Sequence, residues 1–247
     1  PGLDLCHVRH LLRRSAISAA AEIAERHVAR PSARLFWPYL SLCWRLQTDA
    51  RAQWLDGDPA YAAKIDLDLI PAAQSELAAV LRGLHRLKAP YPEQSVRGGT
   101  QTDRHLLFHP HPLIQSLRKR FLSAVRDFIA SWPSPQPNHP LLSPRRDQVH
   151  FEGSWSVRLA GAGYHSPHTH VHGWVSSAYY VDLPEAGAMG TPLAGWLSLG
   201  TPPPELGLNL APTRRIEPKP GRLALFPSTM WHSTEPFESG ERLTIAF

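Results

Sequence analysis

The chain has 247 residues, 43% of them hydrophobic, enough to bury one large core or two small ones. No apolar run approaches the roughly 18 residues that span a bilayer, and the opening PGLDLCHVRH lacks the apolar segment of a signal peptide, so we expect no membrane partner and a cytoplasmic location. The net charge of +5 rests on twenty-two arginines and four lysines scattered as short clusters, with no basic stripe interleaved with aromatics, which argues against a nucleic-acid partner.

Cys6 and Cys43 form neither a disulfide framework nor a zinc-binding pair motif. The sequence starts at Pro1 without methionine and stops at Phe247 inside what reads as a strand, so we expect a piece of something longer.

From about Ala16 to Lys88 the periodicity is helical. Helices are expected over roughly 16–29 and 38–46, and Leu77, Val80, Leu81, Leu84 and Leu87 form an apolar stripe on a helix opened by Pro71. QSVRGGTQT, 94–102, breaks that rhythm with a glycine pair and reads as a strand with a bulge. Leu113, Ile114, Leu117, Phe121, Leu122, Val125, Phe128 and Ile129 mark a second long helix, and the five prolines of 132–144 make a connecting loop.

Then the period becomes two. Trp155, Val157 and Leu159 alternate with Ser154, Ser156 and Arg158, and further strands are expected in WVSSAYYVDL, GWLSL, RLALF and RLTIAF, each bounded by glycine or proline. This is the pattern of an antiparallel sandwich or barrel.

HSPHTHVHGW, 165–174, holds four of the fourteen histidines, with His168, His170 and His172 in strict alternation. On a strand, residues two apart share a face, so either His168 with His170 or His170 with His172 can hold adjacent positions on one ion. The best third ligand is His232, in the loop-then-strand segment FPSTMWHSTEPF. His165 has the other parity and reads as a surface or hydrogen-bonded loop residue.

The succession GYHSPHTHVHGWVSSAYYVDLP, PKPGRLALFPSTMWHSTEPF and ERLTIAF resembles the iron(II)- and 2-oxoglutarate-dependent oxygenases that carry tetratricopeptide-like N-terminal helices, over about 94–247. The resemblance implies an α+β chain. A helical, tetratricopeptide-like segment over 1–88 would precede a double-stranded β-helix, or jelly roll, over 89–247 with a buttressing helix. It implies His168, His170 and His232 as ligands of Fe(II), and Arg242 as the grip on the distal carboxylate of 2-oxoglutarate, with Thr244 on the same strand face. His172, Tyr180, Trp231 and Arg97 are then candidates for the substrate pocket, and the substrate is expected to be an unidentified peptide or protein. The sequence departs from the wider superfamily at His170, where a carboxylate is usual. Two other readings use the same histidines: a zinc lyase or hydrolase, and a non-catalytic interaction module with a structural metal. Neither requires Arg242.

Overall fold

The computed structural model describes residues 1–247 except 68, 91, 93, 104 and 144. Pro144, the end of the proline-rich loop, is therefore outside the described residues. Three helices open the chain: α1 (Gly2–Arg13), α2 (Ile17–Glu25) and α3 (Ala33–Leu46). The periodicity does not announce α1, whose buried side chains are Val8 and Leu12, a stripe too thin to stand out. α3 begins five residues before the expected start at Pro38. Proline's fixed φ suits a helix and its missing N–H removes one backbone bond, a loss offset here by the burial of Phe36, Trp37, Leu40 and Trp44.

Residues 63–66, expected within the helical segment, instead form strand β1 (Ala63–Asp66). There follow α4 (Pro71–Leu84), with its proline in the first turn as expected, β2 (Val96–Gln101) and α5 (Pro112–Ala130). The strands β3 (Trp155–His165), β4 (Val175–Asp182), β5 (Leu197–Leu199), β6 (Arg214–Ile216), β7 (Arg222–Pro227), β8 (His232–Thr234) and β9 (Glu241–Ala246) complete the chain.

The strands form two antiparallel sheets, ordered β1-β7-β4-β9-β3-β2 and β6-β5-β8. From β3 onward the chain passes back and forth between them: β3 and β4 lie in the large sheet, β5 and β6 in the small one, and β7, β8 and β9 alternate. Between β3 and β4 an isolated bridge from His168 to His232 adds a fourth rung to the small sheet. This alternation is the double-stranded β-helix.

The period of two in RLALF and RLTIAF sorts side chains between the faces of the large sheet. Leu223, Leu225, Leu243 and Ile245 point outward, with Tyr179, onto Leu77 and Leu81 of α4 and Phe121 and Val125 of α5. Ala224 and Phe226 point inward, where they meet Leu197, Leu199 and Met230 from the small-sheet side. At the other end of the sheet the β2–β3 register shifts between Arg97 and Gly99, the expected bulge. Gly98 has φ +71°, and a Cβ on Gly163 would stand 2.6 Å from the Ala160 carbonyl oxygen, so this close crossing needs glycine at both places.

α1–α3 have their own core, closed by Trp231 and Leu206 from the barrel. Among the described residues no helix is long and apolar enough to cross a membrane.

Candidate metal and 2-oxoglutarate site

His168 and His232 face each other across the bridge, each accepting the other's N–H at 3.0 Å. Directly opposed residues of an antiparallel pair point to the same side, which brings the two rings to 4.0 Å between centroids. The His170 N–H bonds the Ser228 carbonyl at 2.8 Å, and its ring comes within 4.9 Å of His168 and 5.1 Å of His232. One nitrogen from each of the three rings lies within 4.8 Å of the others, a spacing that one ion can bridge.

The tautomers suit that use. Nδ1 of His168 is 2.8 Å from the Ser166 carbonyl oxygen, and Nδ1 of His232 is 3.0 Å from that of Met230. A carbonyl only accepts, so each Nδ1 carries the proton and each Nε2 keeps its lone pair. Both donations go to the carbonyl two residues back, which fixes the ring by its own backbone. Burial lowers all three pKa values, that of His170 to about 3, so the imidazoles are neutral and able to ligate at physiological pH.

These rings line a cavity of about 430 Å³ that also contains Arg242, Thr244, Arg97, His165 and Ser95. Arg242 is only 2% exposed, and its Nε and Nη1 have no hydrogen-bond partner. Its guanidinium carbon sits 5.1 Å from the centre of the Tyr180 ring. Burial holds the arginine below its usual pKa. A buried cation with idle donors calls for an anion, and a buried polar group without a partner costs about 1 to 3 kcal/mol or more if charged. The chemistry of this donor set, three neutral imidazole nitrogens beside an unpaired guanidinium, fits a divalent metal together with a carboxylate-bearing chelate.

The other expected residues are distributed more widely. Thr244 is directly opposite Tyr180 in the β4–β9 register and faces inward with Arg242. Tyr180 is fully buried under Arg242 and has a hydroxyl without a partner, so it forms the floor behind the cation and does not line the cavity. Arg97 reaches the cavity rim but is exposed, and its Nη1 already donates to the Gln94 and Val96 carbonyls. His172 is exposed and faces a second cavity. Trp231 turns away from the site: its Nε1 donates to the Pro38 carbonyl at 3.0 Å and its ring packs edge-on to Tyr39. The alternation of side chains explains this, because Trp231 and His232 are adjacent and must point to opposite sides.

Two contributors escape sequence reading. His165 is hydrogen-bonded, as one of its two expected readings has it, with Nδ1 3.0 Å from Ser95 Oγ, but it closes β3, half-buried, and lines the cavity instead of sitting in a loop. Ser95 Oγ also lies 3.3 Å from His168 Nε2. Only the β2–β3 pairing brings position 95 to position 165, and nothing in either segment alone signals it.

Residues 153–247 match the family described as "Putative 2OG-Fe(II) oxygenase", a span that holds all three histidines and Arg242 but none of α1–α5. Among solved structures, a Pseudomonas putida prolyl-4-hydroxylase is 16% identical with a TM-score of 0.47, covering 75% of this chain and 90% of its own. A Trichoplax adhaerens prolyl hydroxylase, solved with a peptide fragment of the hypoxia inducible factor oxygen degradation domain, is 18% identical with a TM-score of 0.49, covering 82% and 90%. HygX from Streptomyces hygroscopicus, solved with nickel and 2-oxoglutarate, is 13% identical with a TM-score of 0.47, covering 81% and 85%. No curated protein sequence matches the chain.

Proposed function

We propose, proceeding from the match of residues 153–247 to the "Putative 2OG-Fe(II) oxygenase" family, that this chain is a hydroxylase in which His168, His170 and His232 hold Fe(II) and Arg242 grips the C5 carboxylate of 2-oxoglutarate. The observation that carries the reading is the buried guanidinium of Arg242, with Nε and Nη1 lacking a hydrogen-bond partner, in the same cavity as the three converging histidines.

When bound, iron and 2-oxoglutarate supply the oxidising chemistry: 2-oxoglutarate, dioxygen and a substrate C–H give succinate, carbon dioxide and a C–OH. The chain's own part is positioning. The carbonyls of Ser166 and Met230 hold two imidazoles with Nε2 aimed at the ion. Arg242 keeps buried N–H donors at Nε and Nη1 that a carboxylate can accept. Thr244 adds a hydroxyl on the same strand face. Leu197 and Phe226 wall the cavity with apolar surface, which strengthens these charge interactions by keeping water sparse. With His170 in place of a carboxylate, the ion, three neutral ligands and a dianionic chelate sum to zero charge.

The test is anaerobic titration of the Fe(II) protein with 2-oxoglutarate, following the chelate's charge-transfer absorbance, and then succinate formation once oxygen is admitted. A band with succinate formed in step with oxygen use supports the reading. A protein that binds zinc or iron yet never responds to 2-oxoglutarate would move the site to the hydrolytic or structural alternatives.

A further inference from the structure

A second cavity, of about 520 Å³, opens between α5, residues 148–153 and the loop that carries the histidines. It shares Trp155, Thr169 and His170 with the metal cavity, so one of the three candidate ligands forms part of its wall. We propose that this second cavity is the substrate's chamber and that it takes an uncharged apolar group, aromatic or branched aliphatic, whose C–H it presents past His170. The proposal rests on the oxygenase reading above and names its substrate class.

The two cavities differ in chemistry. Arg97 and Arg242 line the first, whereas among the described residues no lysine or arginine lines the second, in a chain that has twenty-two arginines. Its walls are Val125 and Ile129 of α5, Val149, Phe151, Trp174 and Phe247. Charge occurs only at its mouth, where Glu152 is 72% exposed and stands 3.8 Å from His150. A phosphate- or carboxylate-bearing substrate would find no counter-ion inside, while an apolar group would exchange water for aromatic and aliphatic surface. The anionic co-substrate and the neutral substrate are thus sorted into adjoining chambers, with His170 between them. The Trp155 ring, 5.7 Å from that of His170, forms part of the same partition.

The same chemistry can come from a free small molecule or from a peptide side chain, and the probes separate these. Indole and N-acetylphenylalaninamide are titrated into the Ni(II)- and 2-oxoglutarate-loaded protein, with calorimetry for affinity and the tryptophan side-chain N–H NMR signals for location. We expect both to bind and to shift Trp155 and Trp174 while leaving Trp231 unmoved. Tighter binding of the amide points to a peptide source, and tighter binding of indole to a free molecule. Val149→Trp fills the chamber and should weaken both probes at least tenfold while 2-oxoglutarate affinity changes less than threefold; Val149→Ala should retain both. The NMR location on the wild type stands even if Val149→Trp fails to fold. The proposal is overturned if a protein that holds 2-oxoglutarate binds neither probe, or binds them with no shift at Trp155 and Trp174. Absence of 2-oxoglutarate binding is a separate result, which sinks the oxygenase reading and this inference with it.

Discussion

Arg242 is the residue whose surroundings ask most for a ligand, since two of its buried nitrogens have no partner. Removing a buried charge-assisted contact costs about 2 to 5 kcal/mol, so Arg242→Ala should raise the dissociation constant for 2-oxoglutarate by roughly two orders of magnitude or more. Arg242→Lys keeps the charge without the planar fork and should lose less. Metal content should be unchanged in both, because Arg242 is not among the clustered nitrogen donors; equal 2-oxoglutarate affinity in wild type and alanine variant would remove the main support for the oxygenase reading. At position 170, His170→Asp restores the usual carboxylate and should retain iron, with 2-oxoglutarate turnover intact or faster; complete loss of metal would show that the reach of imidazole governs the position. His168 and His170 are legible because residues two apart on an extended stretch share a face, and His232 through its loop-then-strand segment and the family resemblance; His172, third in the alternation, falls in a turn and faces the second cavity. His165 and Ser95 are not legible, because their hydrogen bond depends on a register that neither segment encodes by itself.

Elements declare themselves to the extent that their burial is regular. α4 and α5 each present one continuous apolar stripe to the large sheet, and both stripes are legible in the sequence, α4 with its opening Pro71 as well. β1 and β6 are three or four residues long and owe their conformation to a partner strand, so no local pattern marks them. Trp231 is a prominent link between α1–α3 and the barrel: it leaves the sheet immediately before a candidate ligand and closes the helical core together with Leu206, its Nε1 bonding the Pro38 carbonyl. Trp231→Ala should therefore cost about 3 to 5 kcal/mol of stability, lowering the melting temperature by roughly 10 °C. Trp231→Phe should recover much of that while leaving the Pro38 carbonyl without its donor. A melting temperature equal to wild type in the alanine variant would show that the helices hold the barrel through other contacts, such as the Arg45 guanidinium on the Gly200 and Ala211 carbonyls.

Across the whole molecule, buried histidines outnumber the opposing groups, and this sets the response to acid. Burial lowers the pKa of His85 to about 4, in a pocket where it meets Thr100 and Ser156, and lowers His139, which bonds the Trp54 carbonyl. His165, His168, His170 and His232 are lowered as well. Each of these binds a proton in the unfolded chain below about pH 6.5 but not in the folded one, so folded stability falls as pH drops through that value. Asp56 works in the opposite sense: burial raises its carboxyl to about 6, so the folded state takes up a proton before the unfolded chain does and gains stability between roughly pH 6 and 4. Among the described residues, six histidines against one aspartate give a net loss on acidification from pH 7 to 5. Burial already holds the imidazoles of His168, His170 and His232 deprotonated in the folded metal-free protein, that of His170 down to about pH 3, so protons compete little for the site and loading it should raise the melting temperature by a similar amount at pH 7.5 and at pH 5. Thermal melts of metal-free and Ni(II)-loaded protein across that range would measure both slopes. A metal-free melting temperature that rises on acidification would mean that Asp56 and its hydrogen bond from Ser41 dominate; a metal-induced gain that vanishes by pH 5 would place the ion on ligands that titrate above that value, not on these histidines.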